Sequence, residues 1–213
     1  MTKTPGKLDL IVVVADLGIE TVVRALLQRT QSMQIRHVAF EIERLVGDSK
    51  CCRVAHEYLR SFVRQFDYAL VVFDREGSGR EDHSRTEIEA AVEGRLSING
   101  WEDRSAAVVL DPELEIWVWS DSGEVPTVLG WSGRQPDLRT WLRQNFKVRP
   151  ESGKPVDPKG AFERALELAG SGPPARIFRH LAERVSPTRC ADDAFFKFRS
   201  TLQNWFSITG HEP

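Results

Sequence analysis

The chain has 213 residues, of which 41% are hydrophobic and 28% charged, as is typical of a globular protein large enough for a substantial core. Lysine and arginine number 29 against 31 aspartates and glutamates, and this balance argues against a strongly basic protein dedicated to nucleic-acid binding. The longest apolar run, residues 10–15, is far shorter than the roughly 20 residues of a membrane span. We therefore expect no membrane association. The 3 cysteines form no disulfide framework and predict a reduced, cytoplasmic protein.

Four short segments predict strands: three are nearly continuous apolar runs, as expected for strands buried on both faces of a sheet, and residues 36–42 alternate more weakly. Helical periodicity follows each of them, and such alternation predicts an α/β fold with a mostly parallel four-stranded sheet flanked by helices. The remaining chain reads as helical, which divides the protein into an α/β domain, residues 1–122, and a helical C-terminal region, residues 123–213, packed on it. The predicted strands are residues 8–15, 36–42, 68–73 and 105–110.

Helix starts are predicted where a capping side chain precedes a periodic segment. Ser84, with Glu87 three residues later, forms a capping-box pattern. Ser49 is a candidate N-cap of an earlier helix. Asp111 and Asp157 each precede a proline, the combination expected where a helix begins with proline at its first position.

Acidic residues follow three of the predicted strands. Ligands of open α/β sheets bind beyond the carboxyl ends of the strands, and carboxylates gathered there suit Mg²⁺, which prefers oxygen ligands. Asp74 and Glu76 alternate directly after a strand, so that both carboxylates can face one ion if the chain stays extended. Helix capping and simple solvation are the alternative roles of these acids. The acids concerned are Asp16, Glu20, Asp74, Glu76, Asp111, Glu113 and Glu115.

Other motifs that would indicate a specific chemistry are missing from the sequence. Neither a G-x-G-x-x-G dinucleotide fingerprint nor a phosphate-binding P-loop follows a predicted strand, and there is no G-x-S-x-G nucleophile elbow. His83 lies beside the acidic loop and is a candidate acid/base, metal ligand or surface loop residue.

The order of strands and acids resembles the TOPRIM domain of topoisomerases, primases and OLD-type nucleases. The segments VVVADLGIE, VVFDREG and LDPELEIWVWSD, with DPKGAFERAL and AFFKFRSTL in the helical tail, are similar to an uncharacterised bacterial TOPRIM-like family associated with phage-defence islands. In that fold a Glu follows the first strand and an Asp-x-Asp follows the third, and together they hold Mg²⁺ for phosphodiester chemistry. Here the first position is Ala15, followed by Asp16, and the second acid of the pair is Glu76.

The resemblance implies one of two functions. The first is an Mg²⁺- or Mn²⁺-dependent nuclease or nucleotidyl-transfer activity, with Asp74, Glu76 and Asp16 as metal ligands and Asp16 or Glu20 in the catalytic role of the missing Glu. The second is a catalytically inactive TOPRIM-like subunit that binds other proteins of a defence system. In either case DNA or RNA would be contacted through a partner protein, because this chain has no basic excess.

Overall fold

The computed structural model describes residues 7–208 and contains one four-stranded, all-parallel β-sheet flanked by helices, which confirms the predicted fold class. Its strand order is β2-β1-β3-β4. The chain therefore crosses from β1 to one side of the sheet and later returns to the other side, which places the topological switch point between β1 and β3. The strands are β1 (Leu8–Val14), β2 (Phe40–Arg44), β3 (Phe66–Asp74) and β4 (Ser105–Leu110).

Burial explains why the apolar runs form central strands. Residues 10–14 of β1 and 69–73 of β3 have no exposed surface, as expected for strands covered on both faces. The second strand begins at Phe40, four residues later than predicted. The preceding residues are held to the start of β1 by Asp9, which accepts a hydrogen bond from Ala39 N (2.7 Å) and pairs with Arg36 (3.0 Å).

Helices surround the sheet and form the region beyond it. Within residues 7–208, no helix is long and apolar enough to cross a membrane. The helices are α1 (Leu17–Gln28), α2 (Thr30–Met33), α3 (Asp48–Leu59), α4 (Arg85–Leu96), α5 (Glu115–Val118), α6 (Glu124–Val128), α7 (Leu138–Asn145), α8 (Pro158–Ala169), α9 (Pro174–Arg184) and α10 (Asp193–Trp205).

Two of the predicted helix caps are present. The Ser84–Glu87 capping box starts α4, and Asp157 accepts a hydrogen bond from Gly160 N (2.8 Å) at the start of α8. The prediction for Ser49 is wrong, because α3 already begins at Asp48.

The predicted cap at Asp111 is also wrong. No helix begins at Pro112; α5 starts at Glu115, after Leu114. Asp111 pairs instead with Arg75, whose Nη1 lies 3.2 Å from its Oδ1.

The C-terminal helices share one hydrophobic core with the sheet. Helix α9 packs against α1, and α10 packs against β4. Phe198 and Leu202 of α10 are fully buried, and Trp205 stacks on Tyr68 of β3 with ring centroids 4.7 Å apart. The helical region is therefore part of the structure that covers the sheet.

A buried carboxylate reinforces this packing. Glu89 of α4 is only 2% exposed and accepts a hydrogen bond from Val109 N in β4 (3.0 Å). It also accepts hydrogen bonds from Arg85 of the same helix at 2.7 Å and from Lys197 of α10 at 3.2 Å. Its charge is thus compensated by two cations, one of which belongs to the C-terminal region.

Replacing Glu89 with Gln keeps an acceptor for Val109 N but leaves Arg85 without its buried counter-charge, whereas Lys197 keeps its pair with Glu93 at 2.7 Å. Because removing one partner of a buried ion pair is strongly destabilising, we expect a loss of about 3 kcal/mol in the free energy of unfolding. Urea denaturation measures it. Glu57→Gln, at an exposed position of α3, is the control and should change stability by less than about 0.5 kcal/mol. Equal stability of both variants would show that Glu89 does not stabilise the packing of α4 and α10 on β4.

Candidate functional site

Each of the four strands is followed by at least one acid at the carboxyl edge of the sheet. Asp16 follows β1, Asp48 follows β2, and Asp74 is the last residue of β3. Glu113 and Glu115 follow β4. We call these five residues the acidic edge.

Asp16 and Asp74 lie on either side of the switch point. The last register pair of β1 and β3 joins Val14 to Val72, so Asp16 and Asp74 each come two residues further along. Asp16 caps α1 by accepting a hydrogen bond from Ile19 N at 2.8 Å. Oδ1 of Asp74 accepts one from Leu114 N at 2.9 Å.

The carboxyl of Asp74 is surrounded by other acids. Its burial, together with the negative charges of Asp48, Glu115, Asp16 and Glu113, raises its pKa well above the ordinary value of an aspartate. The acids of the edge therefore disfavour one another's ionised form.

Asp48 belongs to this site although the sequence analysis did not identify it. Its Oδ1 accepts a hydrogen bond from the backbone N–H of Asp74 at 2.8 Å, which ties the start of α3 to the end of β3. Burial raises the pKa of Asp48, and the charge of Asp16 adds to the effect. In the sequence, its position after β2 is the feature that points to it, but the predicted strand ends at residue 42 and the observed one at Arg44, closer to Asp48.

The same acids also affect the pKa of a buried thiol. Burial raises the pKa of Cys51 to about 12, and the charges of Asp48 and Asp16 contribute to the shift. Cys51 lies one helical turn beyond the start of α3, so the charges of the acidic edge also act on a side chain inside this helix.

Glu113 and Glu115 complete the edge from the side of β4. Burial raises the pKa of Glu115 to about 7, and the charge of Glu113 adds to it. Glu113 is 5% exposed and accepts a hydrogen bond from Lys159 N at 3.1 Å. The Lys159 ammonium lies 3.8 Å from Oε2 of Glu113. Burial opposes the charge of this lysine, but Glu113 and Glu115 raise its pKa overall.

The structure places the other predicted site residues differently. Glu20 forms ion pairs with Arg24 and Arg44, both at 3.0 Å, so its carboxylate is already neutralised. Glu76 is exposed, and its charge raises the pKa of Glu113, which places it near the β4 side of the edge.

Two further candidates form pairs of their own. His83 contacts Asp82 at 2.7 Å in the loop before α4, and Asp111 is paired with Arg75. In the part of the chain that the structure describes, no three acidic, histidine or cysteine side chains are arranged to hold a metal ion.

Comparisons with protein-family models, with curated proteins and with solved structures gave no match to this chain. The chemistry of the acidic edge must therefore be argued from its residues.

The raised pKa of Glu115 predicts an unusual dependence of stability on pH. The folded protein binds this proton more tightly than the unfolded chain, so the stabilisation is complete below about pH 4.5 and is lost as the pH rises through about 7. Asp74, Asp48 and Glu113 shift in the same direction.

We expect Glu115→Gln to flatten the decline in unfolding free energy across this window, by up to about 1.4 kcal/mol per pH unit. Denaturant titrations at intervals between pH 5 and 8 measure the slopes. Asp67→Asn, on β3 at the opposite edge of the sheet, should keep the wild-type slope. Identical slopes in wild type and Glu115→Gln would contradict the assignment.

Proposed function

We propose that this chain is a TOPRIM-like component of a bacterial anti-phage defence system, and that its acidic edge binds Mg²⁺ or Mn²⁺ for a nuclease or nucleotidyl-transfer reaction. The observation that carries the metal site is the cluster of acids around Asp74, whose pKa is raised by burial and by four neighbouring acids. A bound divalent cation would relieve this repulsion. The assignment to the family and to defence rests on the sequence resemblance.

The ligands that fit best are Asp74 and Asp16, because they follow the two strands that flank the switch point and the charge of Asp16 is felt by Asp74. Asp48 lies beside Asp74 and can hold water molecules of the ion. Magnesium is usually bound by one or two carboxylates, with waters and substrate phosphates as the remaining ligands, so a cage of three protein ligands is not required. Glu76, on the β4 side, would approach the ion only with a change in its loop.

The reaction proposed for this site is attack on a phosphodiester; a metal ion held by Asp74 and Asp16 would supply charge stabilisation for the attacking and leaving oxygens. Glu115 is the best acid/base candidate among the acids, because a pKa of about 7 lets it both accept and release a proton near neutral pH. It would take over the part that the missing Glu at Ala15 plays in the resembling family. Glu20, paired with two arginines, is less suited to that part.

The proposed setting is a cytoplasmic complex in which a partner protein supplies the grip on DNA or RNA. The net charge of −2 gives this chain no overall basic excess of the kind that supports strong nucleic-acid binding. Its three cysteines, Cys51, Cys52 and Cys190, are all free thiols, which suits a reducing compartment.

A protein-interaction scaffold without catalysis is the second candidate. The observation in its favour is that Asp16, Asp48 and Asp74 each accept a backbone hydrogen bond, at 2.8, 2.8 and 2.9 Å. These bonds give every one of the three a structural role that needs no metal ion.

Calorimetric titration of Mg²⁺ and Mn²⁺ distinguishes the two candidates. We expect wild type to bind one ion with a dissociation constant below a few millimolar, and Asp74→Asn or the double variant Asp74→Ala/Glu76→Ala to bind at least tenfold more weakly. Binding should also release protons, because the metal displaces them from Asp74, so the heat should depend on the ionisation enthalpy of the buffer.

Asp67→Asn is the matched control, since it removes an acid from the other end of the same strand. Asp74→Asn keeps an oxygen acceptor for Leu114 N and removes repulsion, so its melting temperature without metal should not fall by more than a few degrees. Absence of metal binding by the folded wild type would overturn the enzyme proposal and leave the scaffold.

A further inference from the structure

A second polar site lies away from the acidic edge. A cavity of about 480 Å³ opens between the segment after α5, the loop before α8 and the start of α10. This volume is within the range of small-molecule sites, about 300–1,000 Å³. Ser120, Arg149, Lys154 and Arg189 line it, whereas Asp74 and the other acids of the edge do not.

Lys154 is a buried cation whose ammonium forms an ion pair but no hydrogen bond among the described residues. The residue is 6% exposed, and in residues 7–208 its Nζ has no hydrogen-bond acceptor. Its ion pair with Asp192 is long, with 3.7 Å between Nζ and Oδ2. Oδ1 of Asp192 is already occupied by Trp117 Nε1 (2.9 Å) and by two N–H groups of α10. A buried ammonium that lacks hydrogen bonds is costly, so an acceptor is needed in the cavity.

Ser120 gives a second, independent indication on the same cavity wall. Its side chain is almost completely buried, at 2% exposure, and its hydroxyl has no partner among the described residues. A hydroxyl can donate or accept, and because Ser120 and Lys154 line the same cavity, one acceptor group with several oxygens could satisfy both.

The outer part of the cavity adds two available guanidinium groups. Arg149 is partly buried and Arg189 is exposed, and neither side chain forms an ion pair or hydrogen bond within the described chain. The third arginine, Arg85, is committed to Glu89. Among the acids of the lining, Asp111 is paired with Arg75 and Asp192 with Lys154.

The remaining acids of the lining lie on the rim. Asp121, Glu151 and Asp193 are exposed to solvent, where water screens their charge. The buried end of the cavity therefore holds the Lys154–Asp192 pair, and the guanidinium groups of Arg149 and Arg189 are the cations of the lining that remain available.

We propose that this cavity binds the phosphoryl group of a small molecule. A phosphate has enough acceptor oxygens to satisfy the Lys154 ammonium and the Ser120 hydroxyl together, and its remaining oxygens match the planar donors of Arg149 and Arg189. The proposal does not depend on a metal at the acidic edge, because the two sites share no residue.

Titration of the full chain with inorganic phosphate at constant ionic strength tests it. We expect saturable binding that weakens ten- to hundredfold in Lys154→Met, since a charged hydrogen bond is lost. Ser120→Ala should weaken binding about two- to tenfold, the effect of a neutral hydrogen bond. Lys147→Met removes an exposed lysine from outside the cavity and should bind as wild type does.

Arg189→Gln provides a variant whose side chain is on the surface, so its folding is not in question. It should weaken binding severalfold. Ribose 5-phosphate as a second probe separates the two sources of a phosphoryl group: tighter binding than phosphate indicates a phosphorylated small molecule, and equal or weaker binding indicates free phosphate. Acetate binding as tightly as phosphate, no saturable binding, or equal affinities of wild type and Lys154→Met would each overturn the proposal.

Discussion

The parallel direction of all four strands is the constraint on which the rest of this structure depends. Parallel strands leave the sheet at one edge, and most of them lead into a helix whose first turn favours acids. Asp16 caps a helix and Asp48 opens one, so each is explained locally. The sheet nevertheless brings them together with Asp74 and Glu115, and their mutual repulsion is visible in the raised pKa of Asp74. Acids that each helix start favours for its own capping are thus gathered into one cluster by the parallel sheet.

The central strands could be predicted because burial on both faces leaves a continuous apolar run. The position of β2 could not, since the residues before it are held by hydrogen bonds and an ion pair with Asp9 that only the folded chain forms. Asp48 was not predicted as a site residue for the same reason, since its place at the carboxyl edge of the sheet depends on where β2 ends. Asp16, Asp74 and Glu115 were identified from their place after strands. Which of these acids lie near one another depends on strand register, and a single sequence does not contain it.

The two candidate sites make opposite electrostatic demands. The acidic edge gathers carboxyl groups beside the cation Lys159, whereas the cavity buries the ammonium of Lys154, which is paired with Asp192 but has no hydrogen-bond partner among the described residues. The chain between β4 and α6 contributes to both, with Glu115 on the edge and Ser120 in the cavity wall.

The way α10 covers β4 also bears on how such a protein can be inherited. Phe198 and Leu202 fill the same core as the strands, and Lys197 neutralises Glu89 across the boundary between the two regions. A gene fragment that encoded only the first 122 residues would yield a sheet with an open apolar face and a buried carboxylate short of one cation. A transfer that separated the two regions would remove part of this shared core, so we expect them to be inherited together.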